Sequence, residues 1–142
     1  MNKLRNWQIY LANYLAGEIH PCEVLIILDL SGNIGKHFFQ RHYKIINDDT
    51  LIINGSFHES CKKSRVPAKT IFFNLMNTKK NMIKIAKNIK ILKTEWSHLI
   101  VFTRTILDWN IVNPENCQLL TVEKNIYNVT QWPELLHVEK AD

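Results

Sequence analysis

The sequence predicts an α/β domain with a mostly parallel sheet. Five short apolar runs of the strand type occur along the 142 residues, and helical segments lie between several of them. A glycine-containing loop joins the first of these runs to a helical segment. With 46% hydrophobic and 22% charged residues, the composition is that of an ordinary globular chain, so we expect one domain over residues 1–142.

The first predicted elements are a helix, a strand and a second helix. Apolar and aromatic residues recur at helical spacing over residues 6–16, and Gly17 is a suitable end for that helix. Val24–Leu28 reads VLIIL, an unbroken apolar run that is typical of a strand buried on both faces. Aromatic residues at helical spacing after residue 37 indicate the second helix.

The rest of the chain predicts four more strands and one more helix. Leu51–Asn54 and Thr70–Phe73 read as short buried strands. Apolar residues from Met82 to Leu92 share one helical face, opposite a face of lysines. Leu99–Phe102 and Leu119–Val122 are predicted as the last two strands. Strands that alternate with helices in this way favour parallel pairing.

The composition also excludes several classes of protein. No apolar run approaches the roughly 20 residues that cross a bilayer, so a membrane protein is not expected. Cys22, Cys61 and Cys117 are too widely spaced for a zinc site, and their odd number does not suit a disulfide framework. We therefore expect an intracellular protein in a reducing compartment, and we predict no metal site.

The basic residues are concentrated in one part of the chain. Residues 62–93, called the basic segment below, contain ten of the 18 basic residues and none of the 13 acidic ones, although the net charge is only +5. Such segregation concentrates positive potential and attracts phosphates or an acidic partner. A solvated lysine face is the alternative, but ordinary soluble surfaces usually mix charges of both signs.

The loop between the first strand and the second helix carries the strongest functional signal. In a loop of this kind, glycines let backbone N–H groups surround phosphate oxygens, and a lysine reaches the outer phosphates. The candidate nucleotide-binding residues are Gly32, Asn33, Ile34, Gly35, Lys36 and His37. A simple turn followed by an exposed lysine explains the same residues equally well.

Several motifs together resemble one family. The Trp7-Gln8 pair, the strand VLIILD and the loop SGNIGK resemble the helicase domain of replication-associated (Rep) proteins of small circular single-stranded DNA viruses and their satellites. The resemblance extends through KTIFFNLMNT and SHLIVFTRTILDW and is strongest over residues 4–122. It implies a three-layer P-loop NTPase fold of the AAA+ type and the activity of a superfamily 3 helicase.

The family's catalytic positions are mostly altered in this chain. Lys36 keeps the phosphate-binding lysine, but His37 stands where the family has the hydroxyl that holds magnesium. Asn74 stands in place of the acidic residue of the second motif, and Arg104 in place of the asparagine of the third. Asn116 occupies the place of the arginine that acts on a neighbouring subunit. The resemblance therefore implies a degenerate site for which ATP is the expected cofactor and Mg²⁺ is doubtful.

The resemblance also implies partners and a location. Lys87, Lys90 and Lys93 correspond to a basic hairpin that contacts single-stranded nucleic acid in the family, and copies of the chain or host or replication proteins are further expected partners. A viral protein of this kind would act in the host nucleus or cytoplasm. Because the family's nicking domain precedes its helicase domain, we expect an excised domain or a stand-alone remnant.

Two other functions remain open from the sequence. One is a working ATP-dependent helicase that assembles into a ring, and the other is a non-enzymatic module that binds proteins through the same scaffold. ATP turnover separates the first from a degenerate domain, and nucleic-acid binding separates the second.

Overall fold

A computed structural model of the chain describes residues 4–20, 23–30, 32, 34–55, 68–75, 93, 97–104, 117–123, 126–131 and 138–141. Two helices and seven strands lie within these residues. They are, in chain order, α1 (Asn6–Ala16), β1 (Val24–Asp29), α2 (Lys36–Ile46), β2 (Thr50–Gly55), β3 (Thr70–Leu75), β4 (His98–Thr103), β5 (Cys117–Glu123), β6 (Ile126–Gln131) and β7 (Val138–Ala141).

All seven strands form one sheet, in the order β2-β3-β4-β1-β5-β6-β7. The first five strands in this order pair in parallel, and β6 and β7 continue the sheet in antiparallel fashion. β1 is central, because it pairs with β4 on one side and with β5 on the other. The predicted α/β class with a mostly parallel sheet is therefore confirmed.

The predicted helix over residues 6–16 has the bounds of α1, and the five predicted strands match β1 to β5 to within two residues at each end. The second predicted helix is present as α2. The predicted helix from Met82 to Leu92 lies outside the described residues. The prediction that the strands end with Leu119–Val122 was wrong, since β6 and β7 follow. Both are short strands of mixed polarity, and sequence periodicity gives such strands little signal.

Both faces of the parallel strands are buried. On one face, α1 and α2 pack against β1, β3, β4 and β5 around Trp7, Leu11 and Phe39. The opposite face carries a second cluster, which includes Ile26, Phe73 and other residues of β1 to β4. Every residue of β1, β3 and β4 is buried, as expected of strands covered on both sides.

No helix in the described part of the chain is long and apolar enough to cross a membrane.

Candidate phosphate-binding site

The loop between β1 and α2 lies at the carboxyl edge of the parallel sheet. Asp29 ends β1 and Lys36 begins α2, so the loop follows directly from the central strand. The carboxyl ends of β2, β3 and β4 reach the same edge, because these strands run parallel to β1. Ligands of open α/β sheets bind in the crevice at this edge. The topology therefore brings the loop, Asn74 of β3 and Arg104 after β4 to one side of the molecule.

The loop backbone turns at its two glycines. Gly32 has φ +72° and Gly35 has φ +86°, which is the left-handed region that side chains with a Cβ rarely adopt. Asp29 fixes the first turn, since its Oδ1 accepts a hydrogen bond of 2.6 Å from the N–H of Gly32. Gly35 caps the N-terminus of α2. The Asp29 carboxylate thus supports the loop.

Helix α1 holds the second half of the loop through two side chains. Trp7 Nε1 donates to the carbonyl oxygen of Ile34 at 2.8 Å, and Gln8 Nε2 donates to the carbonyl oxygen of Gly35 at 3.0 Å. Gln8 is itself held, because its Oε1 accepts from the N–H of Arg5 at 2.8 Å. The Trp7-Gln8 pair, for which the sequence predicts no structural role, therefore positions the loop backbone.

Three cationic side chains come close to the loop from different elements. Lys36 is half-buried at the start of α2. The guanidinium of Arg104 lies against Gly32, with one nitrogen 3.4 Å from the place a Cβ would take. The guanidinium carbon of Arg5 lies 3.9 Å from the corresponding point at Gly35. Positive charge therefore approaches the loop from Arg5, which precedes α1, from Lys36 of α2 and from Arg104, which follows β4.

The electrostatics of Lys36 suit an anionic ligand. Burial lowers the pKa of the Lys36 ammonium, and the positive charge of Arg104 lowers it further, while the Asp29 carboxylate partly opposes both. Neither Lys36 nor Arg104 forms an ion pair with another residue in the ranges that the structure describes. A phosphate bound between these two cations would add negative charge to that of Asp29 and stabilise both cations.

His37, the second residue of α2, is exposed. Partial burial lowers the pKa of its imidazole, and the neighbouring charges of Lys36 and Arg41 lower it further. Since the usual pKa of histidine is about 6.5, the ring is neutral at pH 7. A neutral imidazole nitrogen is a poor replacement for the hydroxyl oxygen that the resemblance implies at this position.

Asn74 at the end of β3 belongs to a cluster of three side-chain amides. Gln40 of α2 and Asn74 exchange two hydrogen bonds, of 2.8 Å and 2.9 Å, and Asn74 Nδ2 also donates to Asn54 Oδ1 at 2.6 Å. Asn54 lies directly opposite Asn74 in the pairing of β2 with β3. Asn74 and Gln40 are buried, so these bonds satisfy groups that would otherwise be costly to bury. We call these three residues the amide cluster.

The two positions that the resemblance assigns to magnesium binding, His37 and Asn74, do not supply the ligands that the ion prefers. Mg²⁺ takes oxygen ligands in an octahedron and is usually bound by one or two carboxylates plus the phosphates of the substrate. Here His37 offers nitrogen, and the single side-chain oxygen of Asn74 already accepts a hydrogen bond from Gln40. The two positions that the resemblance assigns to metal binding therefore lack the required donors.

Of the remaining predicted site residues, only Lys93 belongs to the described part of the chain. Asn33, Asn116, Lys87 and Lys90 lie outside the described residues. Lys93 is half-buried, and its ammonium donates to the carbonyl oxygen of Ser97, so it has a structural contact that the sequence did not predict.

Three residues at or beside the site were not predicted from the sequence: Arg5, Gln40 and Asn54. A signal for Asn54 existed, because β2 and β3 both place an asparagine after an apolar run, as LIIN and IFFN. For Gln40 the signal was a polar side chain beside the buried Phe39.

Comparison of the chain with protein-family models finds no match, and comparison with curated proteins finds none either.

Proposed function

We propose that this chain is a P-loop domain of the AAA+ type, similar to the helicase domains of Rep proteins. In this proposal the domain binds the phosphates of a nucleotide but has lost most of the ATP-hydrolysing activity of those helicases. The observation that carries the proposal is the loop from Asp29 to Lys36. It leaves the central strand at the carboxyl edge, turns at two left-handed glycines and has the Lys36 and Arg104 cations beside it. Glycine loops before a helix bind phosphates through backbone N–H groups and the helix dipole.

The strand order supports the same proposal. Five parallel strands lie in the order β2-β3-β4-β1-β5, and the loop follows the central strand at the carboxyl edge, where open α/β sheets bind their ligands. Asn74 ends its apolar run on β3, and Arg104 follows β4, so both residues lie where the resemblance expects motif residues.

Binding without turnover follows from the chemistry of these side chains. Lys36 and Arg104 attract phosphate oxygens, and the Arg104 guanidinium can form two parallel hydrogen bonds with a phosphate group. The Asn74 amide has no charge, cannot act as a base and is engaged by Gln40 and Asn54. The site can therefore hold and orient a phosphate chain, while His37 and Asn74, the described residues at the positions that the resemblance assigns to magnesium and water, carry no carboxylate.

A titration with ATP tests the proposal through Lys36. We expect Lys36→Ala to weaken ATP binding by about tenfold or more, because a charge-assisted contact with the phosphates is lost. Lys44→Ala is the matched control, since it removes the same charge from an exposed position near the other end of α2. Calorimetric titration measures both affinities, and thermal unfolding checks that the variants fold. Failure of the parent chain to bind ATP, or equal affinities for parent and Lys36→Ala, would contradict the proposal.

We further propose that the basic segment binds single-stranded nucleic acid. Ten basic residues without an acidic residue over residues 62–93 give a local charge that backbone phosphates would attract. Such contacts carry no sequence information, so binding should be nonspecific and should weaken steeply with salt. Lys93 contributes less to this proposal than Lys87 and Lys90, because its ammonium already contacts Ser97.

The salt dependence of binding tests the role of the basic segment. We expect the double variant Lys87→Ala/Lys90→Ala to reduce the slope of log K against log salt by about 0.7 per lysine. The control Lys124→Ala/Lys140→Ala removes the same charge outside the segment and should leave the slope unchanged. Fluorescence anisotropy with labelled single-stranded DNA and RNA measures both. An unchanged slope in the first variant would exclude this role and favour a protein-interaction module.

A further inference from the structure

We propose that the phosphate site binds its nucleotide without a divalent cation, with Lys36 and Arg104 in the charge-neutralising role of the metal. This inference rests on the proposed function, and it goes beyond it by specifying the ionic form of the ligand. It starts from the mismatch between the site and magnesium at His37 and Asn74, and from the cations that surround the same loop.

Arg104 is the first of the two charges that would replace the metal. Its guanidinium packs on Gly32, the glycine whose N–H is bound to Asp29, so it lies over the first turn of the loop. Lys36 approaches from the start of α2, and Arg5 lies beside Gly35. Positive charges at both turns of the loop can contact several phosphate oxygens, as a bound metal would.

The side chains of the amide cluster carry no charge. A carboxylate at Asn74 would repel a phosphate chain that carries no metal, because this position is buried and charges interact more strongly away from water. The amide removes that repulsion, and its hydrogen bonds to Gln40 and Asn54 keep the position filled and satisfied. The same substitution that removes a metal ligand therefore favours a metal-free anion.

A magnesium ion and the cations of the protein compete for the same phosphate oxygens of ATP. Mg²⁺ binds the phosphate oxygens of ATP and reduces the negative charge that Lys36 and Arg104 attract. The protein offers the ion no carboxylate in exchange at His37 or Asn74. Metal-free ATP should therefore bind at least as tightly as its magnesium complex.

Calorimetric titration of the full chain with ATP, in excess EDTA and in millimolar MgCl₂, tests the inference. We expect the dissociation constant in EDTA to be equal to or lower than that in magnesium. Binding that requires magnesium, or is tightened by it, would overturn the inference and leave the proposed function standing. Absence of ATP binding in both buffers would overturn both.

Variants of Arg104 and Asn74, with Lys44→Ala as a control, test the roles of these two residues in metal-free binding. Arg104→Ala, at an exposed position, should weaken binding in EDTA by about tenfold and should affect the magnesium complex less. Asn74→Asp should weaken metal-free binding and make the affinity rise with magnesium. Lys44→Ala, on the exposed surface of α2, should change neither value. An unchanged affinity of Arg104→Ala in EDTA would overturn the assignment of Arg104 as the replacement charge.

Discussion

Purified protein is expected to release phosphate from ATP no faster than a Lys36→Ala preparation made in parallel. Asn74 has no carboxylate to act as a base or to bind magnesium, its amide oxygen already accepts from Gln40, and its amide nitrogen donates to Gln40 and Asn54. Arg104 places a cation where the resemblance implies a residue that positions water. A coupled phosphate-release assay with magnesium and excess ATP measures the rate.

The size of the expected loss follows from how phosphoryl transfer is catalysed. The reaction depends almost wholly on positioning and on stabilising charge, and an arginine supplied by a partner is worth about 10³-fold or more in rate. The resemblance assigns that arginine to the place of Asn116, and both metal-holding positions are altered as well. Steady phosphate release that Lys36→Ala abolishes would instead identify a working ATPase with unorthodox residues.

The double variant His37→Thr/Asn74→Asp separates binding from turnover. Gln40 and Asn54 can rotate their amides to donate to the new carboxylate, so the side chain can be accommodated. We expect magnesium-dependent ATP binding to improve more than turnover, because Arg104 and Asn116 are unchanged. A matched single variant, Asn74→Asp, shows how much of the improvement comes from the carboxylate alone. Equal affinity before and after the double change would contradict the assignment of these motifs.

The order of the elements was predictable because buried parallel strands have a strong sequence signal. A strand covered on both faces must be apolar at successive positions, and VLIIL of β1 and the apolar runs of β3 and β4 meet that condition. β6 and β7 extend the sheet beyond β5, and their composition is mixed. Glu123 pairs with Ile126, and the two residues between them in the sequence, Lys124 and Asn125, do not form one of the glycine-containing pairs that indicate a hairpin.

The site was less predictable than the fold, because its contacts join distant parts of the chain. Residues 29–37 were recognisable as one short motif, whereas Gln40 meets Asn74 only after α2, β2 and β3 have packed. Arg104 could be aligned with a motif, but its position against Gly32 depends on the pairing of β1 with β4. Periodicity identifies elements, and it does not specify which side chains meet between them.

Trp7→Ala is expected to cost about 3–5 kcal/mol of the free energy of unfolding, which is a large part of the stability of a small domain. Trp7 is fully buried in α1 and packs on Phe39 of α2 and Phe102 of β4, with ring centroids 6.0 Å and 6.3 Å away. Ile9→Ala, at an exposed position of the same helix, should cost less than about 0.5 kcal/mol. Chemical denaturation measures both, and a Trp7→Ala cost as small as that of Ile9→Ala would contradict this role.

Trp7→Phe and Leu11→Ala distinguish the packing role of Trp7 from its support of the loop. Phenylalanine keeps an aromatic ring in the core but cannot donate to the carbonyl oxygen of Ile34, which Trp7 Nε1 contacts at 2.8 Å. Leu11→Ala removes buried apolar volume from the next turn of α1 and leaves that hydrogen bond in place. We therefore expect Trp7→Phe to weaken ATP binding more than Leu11→Ala, even where Leu11→Ala costs more stability. If ATP affinity instead follows stability across the two variants, the hydrogen bond from Trp7 does not position the loop, and α1 acts on the site only through the core.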